Sequence, residues 1–219
     1  KVLFECLSSK KRYTKPSGER LSTLSYWTKF YVPIILLFTG ARVSEIVQIK
    51  TEDFVIDENN IAKIYIRDGK TTNAKRIIVI NDFIVNELRF KTFFEIAQQQ
   101  KREYLFEHER EDLVGNTFND AIKTIIAKHY SKDDEFYNTR YSLHSLRHNF
   151  ATYLSSVGGV TENLAKKIQG HAVDDINAHY LSSSVEHQDM IQKEKFHLYK
   201  QIDFTDFQAL VLHLEKSFN

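Results

Sequence analysis

Cysteine is almost missing from this sequence. Cys6 is the only one in 219 residues, which excludes an internal disulfide framework and any CxxC zinc site and makes the reducing cytoplasm the expected home. Long apolar runs are missing too. The longest, Tyr31 to Ala41 (YVPIILLFTGA), is interrupted by Pro33 and falls short of the roughly 20 residues that cross a bilayer, so no membrane role is indicated. A dominant charge sign is missing as well: 30 Lys and Arg face 29 Asp and Glu, which excludes a uniformly basic coat but leaves room for local basic surfaces. There is no repeat or low-complexity tract. The chain opens on Lys1, with neither an initiator Met nor a signal-peptide pattern, and reads as a fragment whose parent carries a further domain upstream.

A hydrophobic content of 42% is enough for a sizeable core in one or two domains. Basic residues cluster in two places. Lys1, Lys10, Lys11, Arg12, Lys15, Arg20 and Lys29 crowd the start, and Lys63, Arg67, Lys70, Lys75 and Arg76 gather around Asp68. The apolar spacing of Tyr26, Trp27, Phe30, Tyr31, Ile34, Ile35, Leu37 and Phe38 predicts a buried helix ending near Thr39-Gly40, kinked or bounded at Pro33. A second helix is expected at RVSEIVQI, with Arg42 in its opening turn. The β-branched runs flanking DGKTTN predict a hairpin with Lys70 at its tip. Farther on, the spacing predicts helices with a break at Gly115-Asn116, then one from Ser142 to Gly158-Gly159 whose buried stripe is Leu143, Leu146, Phe150, Leu154 and Val157. A helix over Glu162 to Ile168 should end at Gly170. The tail carries a capping box, Thr205-x-x-Gln208, ahead of Phe207, Leu210, Val211, Leu214 and Phe218. The expected class is mainly α with a small antiparallel β-sheet (α+β).

Several residues suit phosphoryl transfer on a phosphodiester without a metal. Such a transition state needs cations on the nonbridging oxygens, a proton donor for the leaving oxygen, a proton acceptor and a nucleophile. Arg42 and Arg147 each lie near a helix start, and a guanidinium donates as a planar, permanently charged fork. His144 lies one helical turn from Arg147. Tyr180 needs neighbouring positive charge to attack at neutral pH, because a phenol ordinarily titrates near ~10. Lys70 on a hairpin tip is a proton donor, with Lys75 as its competitor.

Taken together, TGARVSEIVQIK, SLHSLRHNFATYL and IQGHAVDDINAHY, in this order and with a lysine-tipped hairpin after the first, resemble the catalytic domain of the tyrosine recombinases, the phage integrase family. The resemblance implies that family's catalytic-domain fold over residues 1–185, with a helical tail over 186–219 that docks on a neighbouring protomer or packs on its own domain. It implies Arg42 and Arg147 as a phosphate clamp, His144 as proton acceptor, His171 as a hydrogen-bond donor to the phosphate, Lys70 as general acid and Tyr180, nine residues after His171, as nucleophile. Glu45 matches a supporting acid. Lys75 and Arg76 are expected to contact DNA. The sequence departs from the family pattern at Gln169, where Leu is common, and at Asp174, Asp175 and Asn177, where small hydroxyl residues are common.

The function so implied is site-specific recombination or integration: DNA strands cut and rejoined through a 3′-phosphotyrosyl link, with no metal, cofactor or ATP. Implied partners are double-stranded DNA, further copies of the chain in a tetramer, and accessory DNA-bending or directionality proteins, in the bacterial cytoplasm at the nucleoid. Three other classes stay open. His144 and His148, i and i+4 on a helix, have zinc-chelating spacing, although Ser145 stands where an H-E-x-x-H enzyme carries glutamate. A DNA-binding module without chemistry would be indifferent to Tyr180→Phe. A type IB topoisomerase would relax supercoils without a partner site.

Overall fold

The computed structural model describes residues 23–58, 60–67, 75–108, 111–138, 141–156, 160–170, 185 and 188–193. The sequence expectations at Lys70, Val157, Gly158-Gly159, His171, Tyr180 and Thr205 to Phe218 lie outside these residues.

The architecture is built around one helix, α1 (Thr23–Thr39). Its segment from Phe30 to Phe38 is apolar on every side, and those side chains are 0–2% exposed, so it is surrounded rather than laid on a surface. Pro33 does not end it. A proline inside a helix costs about 3 kcal/mol, and burying each large apolar neighbour returns about 1.5–3 kcal/mol, so packing wins. A short helix α2 (Val43–Val47) follows, then a 3₁₀ turn (Thr51–Asp53) and an antiparallel sheet ordered β1 (Phe54–Ile56), β2 (Ala62–Ile66), β3 (Arg76–Ile80). The expected hairpin is the β2–β3 pair, with Ile64 opposite Ile78 and Ile66 opposite Arg76.

After β3 the chain makes a π turn (Phe83–Glu87), closed by Leu88 N–H donating to Phe83 O, and enters α3 (Phe90–Gln99). Then come α4 (Glu111–His129), α5 (Glu135–Asn138), α6 (Leu143–Ser156) and α7 (Glu162–Gln169). The break expected at Gly115-Asn116 does not occur, because α4 runs through both. Val114 and Phe118 on either side are fully buried, which outweighs the roughly 1 kcal/mol that glycine costs inside a helix. Helix α1 packs against α2, α4, α6 and β3.

Among the described residues two apolar clusters result. The larger centres on Trp27, Tyr31, Phe90, Phe93 and Phe106, with Trp27 stacked on Tyr31 at 5.2 Å and Phe93 stacked on Phe106 at 5.7 Å. The smaller joins α6 and α7 through Phe150, Leu154, Ile168 and Ile191. Ile191 belongs to a helical stretch, residues 188–193, that is pinned by polar contacts. Gln188 lies against the β3 edge, its side chain accepting from Val79 N–H (3.2 Å) and donating to Ile77 O (3.0 Å). Asn81 donates to Gln192 O (2.6 Å), Gln192 donates to Phe38 O, and Tyr153 Oη donates to Ile191 O (3.3 Å). The tail expected from residue 186 onward therefore begins, at 188–193, inside the same packed body as the rest. No helix among the described residues is long and apolar enough to cross a membrane.

Candidate active site

Arg42 is the N-cap residue of α2, in an extended conformation. Three positions on, Glu45 turns back: its carboxylate accepts from the Arg42 amide (2.8 Å) and from Arg42 Nη1 (2.7 Å). The first bond satisfies an N–H left open at the helix start. The second fixes the guanidinium while leaving the Arg42 side chain 41% exposed.

Glu45 itself is buried, with its side chain 4% exposed, and a second arginine reaches it from the sheet. Arg76 opens β3, and its fork closes on the carboxylate through Nη1 to Oε1 (3.0 Å) and Nη2 to Oε2 (2.8 Å), while Nε donates to Ile168 O (3.1 Å). Burial alone would raise the Glu45 carboxyl, but hydrogen bonds and charge from Arg76, then bonds from Arg42, outweigh it and bring the pKa from 4.5 to about 2. The position of Arg76 differs from the DNA-facing one expected. It is 8% exposed, and its Nε, Nη1 and Nη2 all donate inward, so it is a strut inside the domain. Its neighbour Lys75 is exposed at the hairpin base.

Arg147 arrives from α6, where the Leu143, Leu146, Phe150 and Leu154 stripe fixes the helix rotation. The Ser142 amide starts this helix by donating to Ser145 Oγ (3.1 Å). The Arg147 guanidinium donates to Gly40 O and to Gln169 O (2.8 Å). Burial, then the positive charge of Arg42, pulls its pKa down from 12.5 to about 10, with Glu45 opposing, so it stays cationic at neutral pH. Gly40 must be glycine: its φ is +65°, and a Cβ there would lie 2.3 Å from the Phe150 ring.

Three guanidiniums thus meet the last carbonyls of α7: Arg76 at Ile168, Arg147 at Gln169, and Arg42 Nη2 at Gly170 (3.4 Å). A helix C-terminus carries unpaired carbonyls and partial negative charge, so cations are favoured there. Gly170 closes the helix in the left-handed region at φ +69°, the stop expected from the sequence. A Cβ on it would lie 2.4 Å from Arg76 Nη1.

His144 is exposed on α6, one turn before Arg147, with its ring edge-on to His148 at 4.5 Å. Its pKa is lowered from 6.5, first by partial burial and then by the charges of His148 and Arg147, which favours the neutral, proton-accepting imidazole at neutral pH. Among the described residues no group of three His, Cys, Asp or Glu side chains could hold a metal ion. The structure therefore brings Arg42, Glu45, Arg147 and, unexpectedly, Arg76 to one place. A signal for Arg76 was present: it is in phase with Ile78 and Ile80, on the inward face of β3.

Residues 14–187 match the model of the phage integrase family. The chain belongs to this family. No curated protein matches the sequence. Among solved structures the chain is similar to FLP recombinase in a Holliday junction complex (TM-score 0.54, 14% identity, 99% of this chain and 64% of that one). It is also similar to XerH site-specific recombinase bound to difH substrate in a pre-cleavage complex (TM-score 0.50, 20% identity, 92% and 50%). A third likeness is to the Tn1549 transposon integrase in complex with transposon right end DNA (TM-score 0.50, 18% identity, 96% and 64%). At these identities the likeness is one of fold: a mainly helical domain with a three-stranded antiparallel sheet, as the phage integrase resemblance implied. The chain spans between half and two thirds of the length of these proteins.

Proposed function

We propose that this phage integrase family domain is the catalytic domain of a site-specific DNA recombinase, which cuts and rejoins strands through a covalent link to Tyr180. The observation that carries this reading is the convergence of Arg42 and Arg147 from distant stretches onto the adjacent carbonyls of Gly170 and Gln169, the residues that lead directly into His171. A phosphate entering here would meet two guanidiniums of lasting charge, one of them substantially exposed.

In the proposed reaction the Tyr180 hydroxyl gives its proton to His144 and attacks the scissile phosphorus in line. The P–O5′ bond breaks as the P–O(Tyr) bond forms, and the departing 5′ oxygen takes a proton from Lys70. Arg42, Arg147 and His171 hold the nonbridging oxygens, whose charge grows in the transition state. One phosphodiester becomes another, so the bond energy is kept. Attack by the 5′-hydroxyl of a partner duplex reverses the steps without ATP. Lys75 and the basic start of the chain supply phosphate contacts, so affinity should fall steeply with salt. Two duplexes need four such sites, hence a tetramer, with an upstream domain completing the grip on DNA, accessory proteins setting direction, and the bacterial nucleoid as the place of action.

The test is incubation with a nicked suicide duplex in EDTA, followed by denaturing electrophoresis and peptide mapping. A slow-migrating adduct at Tyr180, absent from Tyr180→Phe, is expected. Cleavage without a covalent species, or cleavage abolished by EDTA, would overturn the reading.

A further inference from the structure

A buried arginine with a bidentate carboxylate partner is costly to install. Desolvating both charges is offset only when the geometry is good and the remaining donors are satisfied. Arg76 meets those terms without facing solvent, and its side chain ties its own strand, β3, to α2 through two bonds to Glu45 and to α7 through one to Ile168 O. Glu45 holds Arg42 with the same two oxygens that hold Arg76. The aim of the half-exposed Arg42 side chain is therefore set from behind by Arg76. The seat of α7 is set by it too, since Gly170 lies so close to Arg76 Nη1 that no side chain fits between them.

We infer that Arg76 is a positioning residue for strand cleavage, acting through Glu45 on Arg42 and through Ile168 and Gly170 on the approach to His171. This rests on the recombinase reading above. It assigns to Arg76 a role in the rate of the chemical step and none in DNA affinity, because its guanidinium faces the protein.

Lysine at this position keeps the charge but loses the fork, as it has one nitrogen where three are used. The test compares wild type, Arg76→Lys, Glu45→Gln and the double variant on the nicked suicide duplex. Single-turnover adduct formation is measured at saturating DNA, with DNA affinity and melting temperature measured in parallel, all well below the melting transition. Arg76→Lys should slow adduct formation about 10- to 100-fold, the scale expected when a catalytic group is misplaced, while DNA affinity stays within about threefold. The double variant should be no slower than the slower single, because both break one link. Gly170→Ala, which crowds the Arg76 guanidinium and strains the left-handed stop of α7 while keeping every charge, supplies a second perturbation and should show the same split between rate and affinity. The inference is overturned if Arg76→Lys and Gly170→Ala cleave within twofold of wild type. It is equally overturned if rate and affinity fall together with melting temperature, or if the two single losses multiply. A wild type that forms no adduct removes the recombinase reading itself, and this inference with it.

Discussion

The packing beneath α1 and the junction at the end of α7 are held together by opposite means. Under α1, Trp27, Tyr31, Phe90, Phe93 and Phe106 meet ring to ring at 4.9 to 6.2 Å, and burial of apolar area does the holding. Burial of apolar area is strong and non-directional, and the ring geometry adds only a modest preference to it. At the junction, among the described residues, the Glu45 carboxylate and three guanidiniums hold α2, β3, α6 and α7 through directional bonds. Little apolar area is at stake there, but each partner has one usable orientation. The difference teaches where stability and precision are separately stored.

The largest effect should come from emptying the aromatic packing. Phe93 touches Trp27, Tyr31, Phe90 and Phe106, so Phe93→Ala should cost about 3–5 kcal/mol in denaturant unfolding while leaving the cleavage rate per folded molecule unchanged. A comparable loss in rate would erase the contrast. Glu45 is next, and it should respond to pH. Its folded pKa of about 2 lies below the ordinary 4.5, so its contribution is complete above pH 4.5 and is lost as pH falls toward 2, on the order of 3 kcal/mol. Glu45→Gln should be less stable than wild type at pH 7, and the gap should narrow over that acid range in thermal melts. A gap that does not change with pH would mean that the charge is not what binds the two arginines. The smallest effect belongs to Gln188→Ala, which removes two contacts at the β3 edge and should cost about 1 kcal/mol, read as a small drop in melting temperature.

How far the sequence was legible follows from the same contrast. Apolar periodicity located α1, the α6 stripe and the β2–β3 pair, because burial leaves a repeating mark in the chain. Gly170 as the stop of α7 was legible from backbone chemistry alone. The misplaced break at Gly115 shows the limit of local propensity, since packing of Val114 and Phe118 carries α4 through it. Arg76, expected at the DNA, lies buried in phase with Ile78 and Ile80, because a charged side chain on the inward face of a strand can be held by a buried partner. Contacts such as Gln188 on Ile77 and Val79 leave no local mark at all, for they join residues far apart through a side chain that suits any surface. Arg42 and Arg147 stand out in the sequence only as members of a set; the structure brings both guanidiniums to the carbonyl end of one short helix, with Glu45 behind Arg42.

The most direct test of that shared centre is the single-turnover cleavage rate of Arg147→Ala at saturating nicked duplex. The account predicts a loss of at least about 100-fold, on the order of 3 kcal/mol in the transition state. A rate within a few-fold of wild type would show that the guanidinium at Gly40 and Gln169 has no part in the chemistry.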